Sequence, residues 1–255
     1  MAGWSPSSNS IVADEAGDVA VLRLNRPEVL NALTIEMLTD LSAGLRWYGT
    51  DDRAPGVVIT GQGRAFSSGD DLKITEELNR DTFETLIEAF QDVTRAIFET
   101  EAPVVSALNG IAVGGAAEIA CATDLRVGGP DSEFLFPENG LGLTISNGST
   151  ATLPALVGPR AIGLVLLGER IDAARAHELG LIDVWVDDPA AVADEACRIV
   201  ASFGEATPLH LRMLRLPTQD VEGALRRERD AAMEAWERGL PQRGIRRFLE
   251  LRARS

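Results

Sequence analysis

Two glutamates stand apart from every other charge near them. Glu118 is the only charged residue between positions 102 and 123, and Glu138 is followed by 21 residues that carry no charge at all. Burying an unpaired carboxylate is costly unless its pKa rises, and the raised value falls where general acid and base catalysis operates near neutral pH. Glu118 lies three positions into a helix opened by Gly114-Gly115, where a capping box would need Ser or Thr in place of Gly115. It reads either as a buried proton-transfer group or as a partly exposed helix carboxylate. Glu138 follows Pro137 at the end of a strand and reads either as a second such group or as an acid favoured by the positive end of a helix.

Two small-residue loops could serve these carboxylates. The helix that starts at Gly114-Gly115 has unsatisfied first N–H groups at the positive end of its dipole. Ser67-Ser68-Gly69-Asp70-Asp71, directly after a strand, can offer one more free N–H. Each loop alone reads as an ordinary turn. Aimed at one point, the two donors would form an oxyanion hole for a carbonyl oxygen that becomes an enolate.

Other chemistries find little support. Gly61-Gln62-Gly63 follows a strand but lacks the third glycine of a dinucleotide fingerprint, since position 66 is Phe, and it reads as a tight turn. His177 and His210 are the only histidines, both in helical segments away from any strained Ser or Cys turn, so no nucleophilic triad forms. No His pair or carboxylate cluster has metal-ligand spacing, and no metal is expected. Cys121 and Cys197 sit in apolar stretches without a CxxC motif, which suits a reducing cytoplasm.

The positioning elements alternate. Residues 19–24, 56–60, 103–108, 124–127 and 133–136 read as strands, and 34–47, 81–99 and 114–123 as helices. From residue 159 the pattern turns to helix after helix, at 190–203, 208–216, 221–238 and 242–252, with one strand at 182–186. An α/β core over residues 1–200 and a C-terminal helical region over 201–255, suited to assembly, are expected. With 255 residues, 45% hydrophobic and 25% charged, the chain has ample material for a core. Its net charge is −15, yet the last 51 residues hold 11 Arg against 8 acids. A nucleic-acid surface is therefore not expected over the acidic bulk. Residues 1–10 lack the basic and apolar regions of a secretory signal, and the uncharged window 139–159 is too rich in Asn, Ser, Thr, Gly and Pro for a membrane span.

At this point the sequence resembles the crotonase family, that is, the enoyl-CoA hydratases and isomerases. The matching segments are NRPEVLNAL (25–33), GQGRAFSSGDDLK (61–73), NGIAVGGAAEIACATD (109–124), FLFPENGLGLT (134–144), LVGPRAIGLVLLGERIDAARAHELGLID (156–183) and RGIRRFLELR (243–252). They run through nearly the whole chain in the family's order. The resemblance implies a spiral of strand-strand-helix units, a C-terminal helical trimerisation region, and a homotrimer or dimer of trimers. It implies that Asp70 and Gly115 supply the oxyanion N–H groups and that Glu118 and Glu138 are the catalytic pair. Leu30, Ala32, Ser68 and Leu72 match the lining of the coenzyme A channel, with Asp71 and Pro137 beside it. Lys73, the only lysine, matches one that reaches a CoA phosphate. Coenzyme A enters as part of the acyl-CoA thioester substrate, so no separate cofactor is expected.

Several departures bear on the substrate. Glu28 replaces a second family lysine, for which Arg246, Arg247 or Arg252 could compensate. Ile145-Ser146-Asn147-Gly148-Ser149 replaces a small-residue stretch and is expected to bring polar side chains near the water and acyl sites. Asp70 stands where a neutral residue is commoner, and its carboxylate would oppose an enolate unless it points away. The expected reaction is hydration of a 2-enoyl-CoA. The nearest alternative is double-bond isomerisation, although a dienoyl-CoA isomerase would be expected to carry an acid where Ser146 stands. Dehalogenation lacks its His and nucleophilic Asp, and a non-catalytic scaffold fits poorly with two retained glutamates and an acidic chain.

Overall fold

The computed structural model describes residues 4–49 and 56–253. Residues 1–3, part of the stretch read for a secretory signal, lie outside the described residues. The chain runs β1 (Ile11–Ala16), β2 (Val19–Leu24), α1 (Ile35–Gly49), β3 (Val57–Gly61), β4 (Ala65–Ser67), α2 (Leu72–Glu77) and α3 (Arg80–Glu99). It continues with β5 (Val104–Leu108), β6 (Ile111–Val113), α4 (Gly115–Ala122), β7 (Leu125–Gly128), β8 (Glu133–Leu135), α5 (Glu138–Leu141), α6 (Ser149–Val157) and α7 (Ala161–Leu167). The remainder is β9 (Ile171–Asp172), α8 (Ala173–Leu179), β10 (Val184–Trp185), α9 (Val192–Ala201), α10 (Thr207–Leu214), α11 (Thr218–Glu237) and α12 (Leu240–Arg252).

Successive strands are dealt alternately to two sheets. β3, β5 and β7 enter a sheet of order β1-β2-β3-β5-β7-β10, while β4, β6 and β8 enter a second of order β4-β6-β8-β9. One to three helices follow each of the first four strand pairs, so the chain forms the expected α/β spiral. Both faces of the larger sheet are covered, which is why β3 and β5 are apolar-rich and buried along their whole length. Along β2, Ala20, Leu22 and Leu24 face the main core, whereas Val19 and Val21 meet Val192, Ala196 and Val200 of α9. The sequence reading missed β1, β6 and β9. β6 and β9 are too short to show a period, and β1 is an edge strand whose last three residues are exposed.

The smaller sheet positions the site. β4, β6 and β8 are parallel neighbours, so their C-terminal ends fall on one edge. The loops leaving that edge carry Ser68 to Asp71, Gly114-Gly115 and Pro137-Glu138, in the place where open parallel sheets bind ligands. Helices from the end of the chain then cover this edge. α11 packs on α3 and α6, and α12 packs on α2 and α5. Phe83 of α3 stacks on Trp236 of α11 with ring centroids 4.4 Å apart.

The 19-residue stretch Ser149–Leu167 contains an 18-residue window with a mean hydropathy of 1.5. A break at Gly158, with φ of +65°, followed by Pro159 and Arg160, divides it into α6 and α7. Pieces of nine and seven residues are each too short to span a bilayer.

Candidate active site

A cavity of about 1070 Å³ opens at the C-terminal ends of β4, β6 and β8. Its wall includes the residues expected as catalytic groups, oxyanion donors and channel lining: Glu28, Leu30, Ala32, Ser68, Asp70, Asp71, Leu72, Lys73, Gly115, Glu118, Pro137 and Glu138. α12 adds Phe248, Leu249 and Arg252 to the same wall.

Gly115 is glycine for a steric reason. A Cβ there would lie 2.5 Å from Cε1 of Phe90 and 3.0 Å from Oδ1 of Asp70. Gly114, at φ of +55°, turns the chain from β6 into α4 with a backbone that other residues rarely adopt. In the two loops the amides of Ser68, Gly69, Asp71 and Gly114 are spent on Leu30 O, Ser67 Oγ, Leu33 O and Leu135 O. The N–H groups of Asp70 and Gly115 have no partner from another residue among the described residues. They are the pair expected from the sequence as oxyanion donors.

Glu118 sits on α4 at 1% exposure, and its Oε2 accepts from the N–H of Ser146 (2.9 Å) and of Asn147 (3.1 Å). Burial holds its carboxyl well above the usual range, the negative charges of Glu138 and Glu228 add to this, and the two N–H bonds offset part of it. Glu138 opens the short helix α5 at 5% exposure, and neither carboxylate oxygen has a hydrogen-bond partner. Burial pushes it up to about 8, its own backbone N–H opposing and the charge of Asp70 assisting. Repulsion between the two glutamates belongs to the pair, which holds one proton more easily than none. The two N–H bonds favour the charged form of Glu118, and Glu138 has no such bond.

Asp70 Oδ1 lies on the Gly115 side of its loop, 3.0 Å from where a Cβ on Gly115 would stand, and desolvation in the cavity pushes its carboxyl up to about 6. The segment 145–149 also differs from expectation. Asn147 is fully buried, its Nδ2 donating to Gly115 O (3.0 Å) and its Oδ1 accepting from Ser146 Oγ (3.0 Å). Only Ser146 of that segment reaches the cavity wall, because the amide of Asn147 is used inside the protein.

At the mouth, Lys73 and Arg252 line the same cavity as Glu28, so one candidate replacement for the missing lysine lies within the same chain. Arg246 instead faces Glu76 at 3.4 Å. Arg64 and Arg170 also reach the wall, Arg170 while bonded to Glu133. Sequence reasoning missed both, since isolated arginines in loops resemble ordinary surface charge. It also missed Glu228, which shares an apolar stripe of α11 with Val221, Ala224, Leu225 and Ala232. A charge at an apolar-stripe position was the available signal.

The alternative motifs are structural. The Gly61 to Gly63 turn is stapled by Asn109, which accepts from Gly61 N and donates to Gly61 O and Gly63 O. His177 Nδ1 bonds Ile182 O at 2.9 Å.

The profile of the enoyl-CoA hydratase/isomerase family matches residues 14–254. The chain belongs to that family. As an enzyme of the enoyl-CoA hydratase/isomerase family it is similar to a probable enoyl-CoA hydratase of Bacillus subtilis, 34% identical over 92% of this chain and 93% of that one. It is also similar to a 1,2-epoxyphenylacetyl-CoA isomerase of Escherichia coli, 31% identical over 92% and 93%. Among solved structures, an enoyl-CoA hydratase/isomerase from Xanthobacter autotrophicus superposes with a TM-score of 0.86 at 31% identity, over 98% of this chain and 94% of that one.

Proposed function

We propose that the protein hydrates the 2,3 double bond of an enoyl-CoA thioester, or runs the reverse dehydration. The observation that carries this reading is the meeting, in one cavity, of two buried carboxyls with opposite hydrogen bonding and two unbonded backbone N–H groups. The N–H groups of Asp70 and Gly115 receive the thioester oxygen as it becomes an enolate. Glu118, ionised, orients a water and takes its proton as the hydroxyl bonds to C3. Glu138, protonated, gives its proton to C2, and exchange with water restores both groups. The donors must bind the enolate better than the ground-state carbonyl for the rate to rise.

Coenzyme A is held by the channel from Leu30 and Ala32 to Leu72, with Lys73, Arg64, Arg170 and Arg252 within reach of its phosphates at the rim. No further cofactor takes part in this scheme. A homotrimer or dimer of trimers is the proposed assembly, supported by exposed apolar side chains on α7 (Ile162, Leu166, Leu167) and α10 (Leu209, Met213, Leu214). Two unpaired cysteines accord with work in a reducing cytoplasm.

One observation favours a second reading. Glu138 alone, unbonded and lining the same cavity as the oxyanion donors, could shuttle a proton between carbons and migrate a double bond. Incubation with crotonyl-CoA and with 3-enoyl-CoAs, following 3-hydroxyacyl-CoA and bond migration separately, distinguishes the two. Hydration of crotonyl-CoA supports the first reading, whereas migration without hydration replaces it with the second.

A further inference from the structure

The turn that precedes α6 divides its amides between two carboxylates. Ser146 and Asn147 donate to Glu118 Oε2, and Gly148 and Thr150 donate to Glu228 Oε2 and Oε1, both at 2.6 Å. Glu228 comes from α11 and is 2% exposed. α3 ties down the carbonyls of the same turn, Gln91 Nε2 donating to Ser146 O at 3.1 Å and Thr94 Oγ1 to Asn147 O at 2.8 Å. Those ties are neutral. Glu228 makes two short charge-assisted bonds, and its loss would leave two donors without partners.

We propose that Glu228 is a positioning residue for Glu118: by fixing the backbone at 148–150 it fixes the amides of 146 and 147, and so the direction of the Glu118 carboxylate. The inference rests on Glu118 being the base of the hydration. The charge of Glu228 also stands behind the turn, where it opposes ionisation of Glu118 in the same sense as burial and Glu138. Burial raises the Glu228 carboxyl above its usual range, while its bonds to Thr150 and Gly148 and the charge of Arg227 on α11 favour its charged form. α3 brings Arg95 and Glu88, which pair with Glu222 and Arg229 of α11, and α5 brings Glu138.

The test is Glu228→Gln, which keeps the shape and one acceptor, beside Glu228→Asp, which keeps the charge. With crotonyl-CoA from about pH 5 to about pH 9, Glu228→Gln is expected to lose roughly tenfold or more in kcat with KM within about twofold. Its acid limb moves to lower pH because a negative charge near Glu118 is gone. Glu228→Asp restores the position of the limb. A lowered melting temperature with an unmoved limb and an unchanged kcat overturns the proposal. Carboxyl 13C titration of Glu118, assigned with Glu118→Gln, gives a readout without turnover. A wild-type protein inactive on every enoyl-CoA sinks the hydratase reading, and an unmoved Glu118 titration in Glu228→Gln sinks the positioning role separately.

Discussion

Glu118 and Glu138 lie at similar depth, 1% and 5% exposed, yet their surroundings are opposite. Glu118 is held by two backbone amides on a turn that is itself anchored from α3 and α11. Glu138 starts a helix of four residues and bonds to nothing. The difference teaches that burial raises both carboxyls, whereas only Glu118 has hydrogen bonds that favour its charged form. A held carboxylate is suited to orienting water, and an unbonded acid is suited to delivering its proton.

The largest expected effect comes from removing either group. Glu118→Gln and Glu138→Gln are each expected to lower kcat/KM for crotonyl-CoA hydration by roughly 10³ or more, read in a steady-state assay. A loss confined to one of them would break the pairing. The next effect is on stability. Glu138 rises from 4.5 to about 8 on folding, so between those values the folded chain holds a proton that the unfolded chain has released. That stabilising contribution is complete below 4.5 and is lost as pH rises through about 8. Denaturant unfolding should therefore find Glu138→Gln gaining on wild type by on the order of 2–4 kcal/mol across that window.

Asp70 sharpens the comparison from the other side. Its carboxyl titrates near 6 and faces Gly115, so above that pH it repels the enolate. Asp70→Asn should raise kcat/KM about threefold to tenfold near pH 8 and by little below pH 6, in a pH-rate profile. The smallest effect is at the rim. Lys73→Ala should raise KM about twofold to fivefold for CoA esters, leaving kcat alone, and should change nothing for short N-acetylcysteamine thioesters that lack the phosphates.

The two glutamates were legible because long uncharged flanks isolate them, and the two glycine loops were legible because backbone that must turn or admit close contact leaves a compositional trace. β6 and β9 left none, being shorter than one clear alternation. Asn147 was misplaced toward the acyl site because residue type carries no direction, and only packing turns its amide back to Gly115 O. Glu228 was hidden among the charges of RRERD, although its register with Val221, Ala224 and Leu225 marks the inner face of α11.

Isotope labelling tests the division of labour most directly, with crotonyl-CoA in H2 18O and, separately, butyryl-CoA in D2O. The account predicts that wild type places 18O at C3 and exchanges the C2 proton, that Glu118→Gln loses the 18O but keeps C2 exchange, and that Glu138→Gln loses both. Full 18O incorporation by either variant, or C2 exchange surviving in Glu138→Gln and lost in Glu118→Gln, would contradict it.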